Sequence, residues 1–195
     1  HAPIYKPIPA KPVLQRLPQS PGPIRIGLIS GHKGSDSGAV CDDGLTEAEV
    51  NLNIAQKVAA ALLAQGIHAD ILDEFDARLA NYGGTAVISI HADSCVYVNE
   101  LASGYKVAPS SRTDSALLQS CLESAYQQAT QLSYHSNTIT PHMTDYHAFR
   151  TLPEGVPAVI IETGFMNLDR ALLTSNVDIP AAGILNGIQC YLDRT

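Results

Sequence analysis

Ala86-Val87-Ile88-Ser89-Ile90 runs directly into His91-Ala92-Asp93. A short uncharged run rich in β-branched residues reads as a buried strand, and strands covered on both faces belong to mostly parallel sheets flanked by helices. Its length is that of a strand, too short for a helix buried in a core. A histidine just beyond such a strand stands where open α/β sheets gather ligands, outside the carboxyl ends of their strands.

The same alternation extends to either side. Ile24–Ser30 is an apolar run ending at Gly31, and Ile67–Leu72 and Ala158–Glu162 read as further buried strands. Gly104–Ala108 reads as a strand nearer the edge. Val50, Ile54, Val58 and Leu62 recur at spacing four, which predicts a helix stopped by Gly66. A short helix is expected near Asp76–Asn81, longer ones over Ser115–Leu132 and Pro180–Tyr191, and a polar loop over Ser133–Leu152. Strands separated by helices give a three-layer α/β fold, a mostly parallel twisted sheet with helices on both faces, of the phosphorylase/hydrolase-like kind. Residues 24–195 form one domain. Residues 1–23, with Pro3, Pro7, Pro9, Pro12, Pro18, Pro21 and Pro23, read as an extended tether. The alternative is an arm packed on the domain through Ile4, Tyr5, Val13 and Leu14.

Composition narrows the function classes. The net charge of −7 argues against a nucleic-acid partner, and apolar runs of strand length argue against a transmembrane segment. A chain that starts at His1 rather than Met is expected to have lost a signal peptide or anchor. Four cysteines without C-x-x-C spacing are too few for a disulfide scaffold. Cys41 and Cys95 both lie in loops leaving the ligand edge of the sheet and are the pair expected to meet. Cys121 and Cys190, on helical patterns, are expected to be buried free thiols.

Three side chains should converge at that edge. His32 lies two residues beyond the first strand and His91 just after the central one. Glu47 falls in the first turn of the helix that starts there. Thr46-Glu47-Ala48-Glu49 has the form of a capping box, which gives Glu49 a structural task and leaves Glu47 free. His32, Glu47 and His91 make a His₂Glu set, common among catalytic zinc sites that keep one position for water. Glu162, closing the last strand, is a spare carboxylate whose burial needs a partner. His68 reads as a surface residue, and His135 and His142 as residues of the polar loop. His147, in that loop's last third, could reach the site.

These four segments, Ser30-Gly31-His32-Lys33-Gly34, Leu45-Thr46-Glu47, Ser89-Ile90-His91-Ala92-Asp93 and Ile161-Glu162-Thr163-Gly164-Phe165, occur in the order found in the type-3 N-acetylmuramoyl-L-alanine amidases. The chain resembles that family from about Ile24 to its end. The resemblance implies one zinc held by His32, Glu47 and His91, with Glu162 as catalytic base. It further implies peptidoglycan as partner and substrate, an extracytoplasmic location (periplasm, cell wall or secreted) and action as a monomer. Lys33 replaces a usual glycine, Ile29-Ser30 a usual Asp-Pro, and Leu72-Asp73-Glu74 a Thr-Arg pair. The last change bears on how the glycan is held, and the second leaves support for His32 to come from elsewhere. Two other readings stay open: a zinc hydrolase of small peptides or N-acyl amino acids, and a non-catalytic wall-binding module.

Overall fold

The computed structural model describes residues 23–195. The tether or arm read over residues 1–23 falls, Pro23 aside, outside the described residues. Strands β1 (Arg25–Ser30), β2 (His68–Leu72), β3 (Ala86–Asp93), β4 (Lys106–Pro109) and β5 (Ala158–Phe165) form one sheet in the order β2-β1-β3-β5-β4. All neighbours are parallel except β4, which runs against β5. That edge strand is four residues long and ends in proline, two features that discourage pairing with another chain. The helices are α1 (Glu47–Ala64), α2 (Ala116–Thr130), α3 (Pro141–Thr144), α4 (His147–Thr151), α5 (Arg170–Thr174) and α6 (Asp178–Leu192).

Side-chain alternation along the strands sorts the core into two layers. Ile26, Leu28, Ile88, Ile90, Val159 and Ile161 point to one face and meet the long helices α1, α2 and α6. Ile29, Val87, Ala108 and Ile160 point to the other. That second face is covered by a 3₁₀ turn at Ala77–Asn81 and by α3 and α4. The segment Ser133–Leu152, expected as a polar loop, therefore carries two short helices. It buries Met143, Tyr146, Ala148 and Phe149 against the sheet.

Helix α1 shows why this sequence folds as it does. Val50, Ile54, Val58 and Leu62 are all buried on the sheet, each contributing about 1.5–3 kcal/mol. The Thr46 hydroxyl accepts from the Glu49 N–H at 3.2 Å, and Glu49 returns to the Thr46 N–H at 3.0 Å. That capping box is worth roughly 1 kcal/mol, so packing holds the helix and the cap fixes where it starts. Its start is what matters for Glu47, the first helical residue.

Helices α2 and α6 approach closely because Gly187 has no side chain. A Cβ there would lie 2.8 Å from the Leu122 Cα. The approach sets Cys121 and Cys190 with Cα atoms 5.6 Å apart, and they are bridged. The expectation of two buried free thiols is thus corrected: each helix reads as apolar by itself, and only their packing brings the sulfurs together. Cys41 and Cys95, the pair expected to meet, are also bridged, with a Cα separation of 5.3 Å. The denatured, unreduced protein should show no titratable thiol and the reduced protein four. Replacing Cys121 and Cys190 together by alanine should lower the unfolding free energy by about 2–4 kcal/mol in denaturant titrations.

Candidate active site

Strands β1 and β3 are neighbours whose chains leave in opposite directions, β1 toward β2 and β3 toward the β5 side. Such a switch point opens a crevice beyond the carboxyl ends of the two strands. His32 follows β1 there, and its φ of 67° turns the chain back over the strand end. His91 lies within β3, which continues to Asp93 rather than ending at Ile90. Gly31 lets the two meet, since a Cβ on it would lie 2.4 Å from the His91 ring.

Glu47 completes the group. Its Oε1 is 3.2 Å from His32 Nε2 and 3.1 Å from His91 Nδ1. One candidate ligand atom from each of the three residues lies within 4.8 Å of the others. Asn51, one turn further along α1, donates to the Gly31 carbonyl at 3.2 Å and ties the helix to the β1 turn. Support for the His32 ring comes from Asp36, whose Oδ1 is 2.6 Å from Nδ1. This is the partner that the missing Asp-Pro left unassigned.

Glu162 stands in register with His91 across β3 and β5, and Lys106 of β4 stands in register with Glu162. The three share the face covered by the short helices. Oε2 of Glu162 is buried without a hydrogen-bond partner, as are Ser30 Oγ, Ser89 Oγ and Asn51 Oδ1 among the described residues. Burial pushes the Glu162 carboxyl up to about 7, although His91 and Lys106 pull the other way. Lys106, buried beside it, is held by Asp93 at 2.7 Å and Thr138 at 2.9 Å.

The charges suit a divalent cation. Burial would raise Glu47, but the hydrogen bond and charge of His91, the Ala39 N–H and the charge of His32 together outweigh it and hold the carboxylate below its ordinary range. Burial would lower His91, yet Glu47, Glu162 and Glu74 together keep it above the usual imidazole range. Two imidazole nitrogens converging on one carboxylate oxygen, beside an unpartnered carboxylate, form a donor set that fits a metal ion. His32 keeps part of its surface exposed, so the cluster can be reached from solvent.

Two further residues of the site had no motif to announce them. Glu74, next to β2, is buried with its carboxylate against the His32 backbone N–H, Tyr146 and His147. Tyr146, from the stretch between α3 and α4, reaches His91 Nε2 at 3.2 Å. Glu74 occupies the segment whose departure from the family pattern was read as a change in glycan contact. His147 lies beside the cluster, 2.7 Å from Glu74 and stacked on Phe75, and its ring bonds to Glu74 rather than to a candidate ligand. His68 and His142 are exposed. His135 is taken up by Thr138 and the Leu101 carbonyl.

A family model described as N-acetylmuramoyl-L-alanine amidase matches residues 26–190. No curated protein sequence matches the chain. Among solved structures, the chain is similar to the N-acetylmuramoyl-L-alanine amidase AmiC2 of Nostoc punctiforme. That match has 27% identity and a TM-score of 0.68, covering 90% of this chain and 100% of that one. The catalytic domain of the amidase CwlV from Bacillus (Paenibacillus) polymyxa var. colistinus matches at 24% identity, TM-score 0.67, over 88% of this chain and 99% of that one. The amidase Ami1 from Mycobacterium smegmatis matches at 21% identity, TM-score 0.72, over 88% and 98% respectively. At their lower identities these two establish the shared fold alone. The family match spans all four segments of the site, and the sheet and helices except Arg25 and the last two residues of α6. The chain belongs to the N-acetylmuramoyl-L-alanine amidases, which hydrolyse the amide bond between N-acetylmuramic acid and L-alanine in peptidoglycan.

Proposed function

We propose that the amidase activity is zinc-dependent, with His32, Glu47 and His91 as ligands of one zinc and Glu162 as the catalytic base. The observation that carries this reading is the convergence of His32 Nε2 and His91 Nδ1 on Glu47 Oε1, with the Glu162 carboxylate across the strand from His91. Zinc held there would supply Lewis acidity for ionising a water near neutral pH and for polarising the scissile carbonyl.

The remaining work belongs to the chain. Glu162 takes a proton from the attacking water and later gives it to the leaving L-alanine amine. Its unpartnered Oε2 leaves an acceptor free for the first transfer, and its raised proton affinity suits a group that must also donate. Lys106, one register step away, keeps positive charge beside this carboxylate without occupying it, because its ammonium is held by Asp93 and Thr138.

Peptidoglycan places the substrate outside the cytoplasm, and one feature agrees with an extracytoplasmic location. Both cysteine pairs are bridged, as oxidising compartments favour. No helix among the described residues is long and apolar enough to cross a membrane.

The wild-type protein should release peptides bearing a free L-alanine amine from purified peptidoglycan, as read by mass spectrometry, and leave the glycan uncut. Glu162→Gln keeps the shape of the side chain but not the base, so turnover should fall by roughly 10²–10⁴-fold while metal content is retained. Near-normal turnover in that variant would assign the base elsewhere. New reducing ends without free L-alanine amines would contradict the amidase activity.

A further inference from the structure

The two imidazoles of the cluster are supported in different ways. His32 Nε2 faces Glu47, and its other ring nitrogen, Nδ1, meets the Asp36 carboxylate directly. For His91 the roles of the nitrogens are reversed. Nδ1 faces Glu47 at 3.1 Å, and Nε2 lies 3.2 Å from the Tyr146 hydroxyl. That hydroxyl is 2.5 Å from Glu74 Oε1. A metal-binding histidine is held in one tautomer by the partner of its other nitrogen, commonly a carboxylate or carbonyl. Here a tyrosine stands between ring and carboxylate.

We propose that Tyr146 and Glu74 are positioning residues for the metal site, a relay in which the His91 Nε2–H donates to Tyr146 and Tyr146 donates to Glu74. The relay rests on the reading of His32, Glu47 and His91 as zinc ligands. It keeps the His91 proton on Nε2 and the Nδ1 lone pair aimed at the cluster. It also couples the two ligands. Glu74 Oε2 accepts the backbone N–H of His32, the residue whose left-handed conformation is unusual for a side chain with a Cβ. One carboxylate thus fixes the ring of His91 through Tyr146 and the backbone of His32 directly.

The surroundings hold the relay rigid. Glu74 and Tyr146 are 6% and 9% exposed, so neither is free to turn to water. Tyr146 packs edge-on against both His91 and Phe149. His147 gives Glu74 Oε1 a second partner at 2.7 Å. Four separate segments, the turn after β1, the end of β2, the carboxyl-terminal part of β3 and the turn before α4, are tied together through this carboxylate. Packing alone would be met equally well by phenylalanine at position 146, which makes the hydroxyl testable by itself.

The test is zinc affinity, measured by competition with a chromophoric chelator, alongside the thermal midpoint of the metal-free protein. Tyr146→Phe removes only the hydroxyl and should weaken zinc binding by about 10–100-fold, the usual cost of losing such an outer partner, with the metal-free midpoint little changed. Glu74→Gln should weaken it at least as much. The double variant should bind zinc no more weakly than Glu74→Gln, because both changes break one chain of hydrogen bonds. In the zinc-loaded wild type, nitrogen chemical shifts should place the His91 proton on Nε2. Zinc affinity in Tyr146→Phe equal to the wild-type value overturns the relay and leaves the ligand set standing. A loss of affinity matched by an equal loss of metal-free stability makes Tyr146 a packing residue and also overturns it. A wild-type protein that binds no zinc removes the ligand set itself, and the relay with it.

Discussion

Enclosed negative charge is the constraint on which this site depends. Glu47 and Glu74 are each 6% exposed, and Glu162 adds a carboxylate oxygen that is buried without a partner. Removing one ionised carboxylate from water costs several kcal/mol unless it is paired and hydrogen-bonded, and here three stand around one histidine. Each has its own answer. Glu74 is met by a backbone N–H, a tyrosine hydroxyl and an imidazole. Glu47 is met by His32 and His91 and by the Ala39 N–H. Glu162 is met only by the nearby charges of His91 and Lys106, and its carboxyl rises instead. A divalent cation between the histidines would settle the remaining imbalance, and the proton transfers proposed for Glu162 would draw on the same imbalance.

The fold supplies the geometry with few special devices. Parallel strands place their carboxyl ends on one edge, and the reversal of direction between β1 and β3 opens that edge. Register then aligns His91, Glu162 and Lys106 in a row across three strands. The pairing of β3 with β5 shifts just beyond His91, a local irregularity of the kind that re-aims side chains beside active sites. The Cys41–Cys95 bridge joins the loops leaving His32 and His91, so the chain is fastened on both sides of the crevice.

Much of this was legible in the sequence, because its signals were local or periodic. The apolar runs located four of the strands within a residue or two, apart from carboxyl-terminal extensions of β3 and β5. The capping box distinguishes Glu47 from Glu49, because the cap assigns Glu49 a partner one turn away. Contacts that depend on two distant segments were not legible. Glu74 looked like a substitution at a substrate-contacting position, and nothing in its neighbours reveals that Tyr146 and the His32 N–H converge on it. Lys106 sits in an ordinary strand pattern, and only the β4–β5 register places it beside Glu162. The Cys121–Cys190 bridge was hidden in the same way, by the packing of two helices that each looked complete.

Three side chains, from the turn after β1, from α1 and from β3, are proposed to share one zinc. Crystallographic anomalous diffraction at the zinc absorption edge, on protein loaded with one equivalent, tests this most directly. The expected result is a single peak bonded to His32 Nε2, Glu47 and His91 Nδ1 at about 2.0–2.2 Å, with a position left for water. A peak elsewhere, or no peak while those side chains keep their hydrogen bonds to one another, would contradict it.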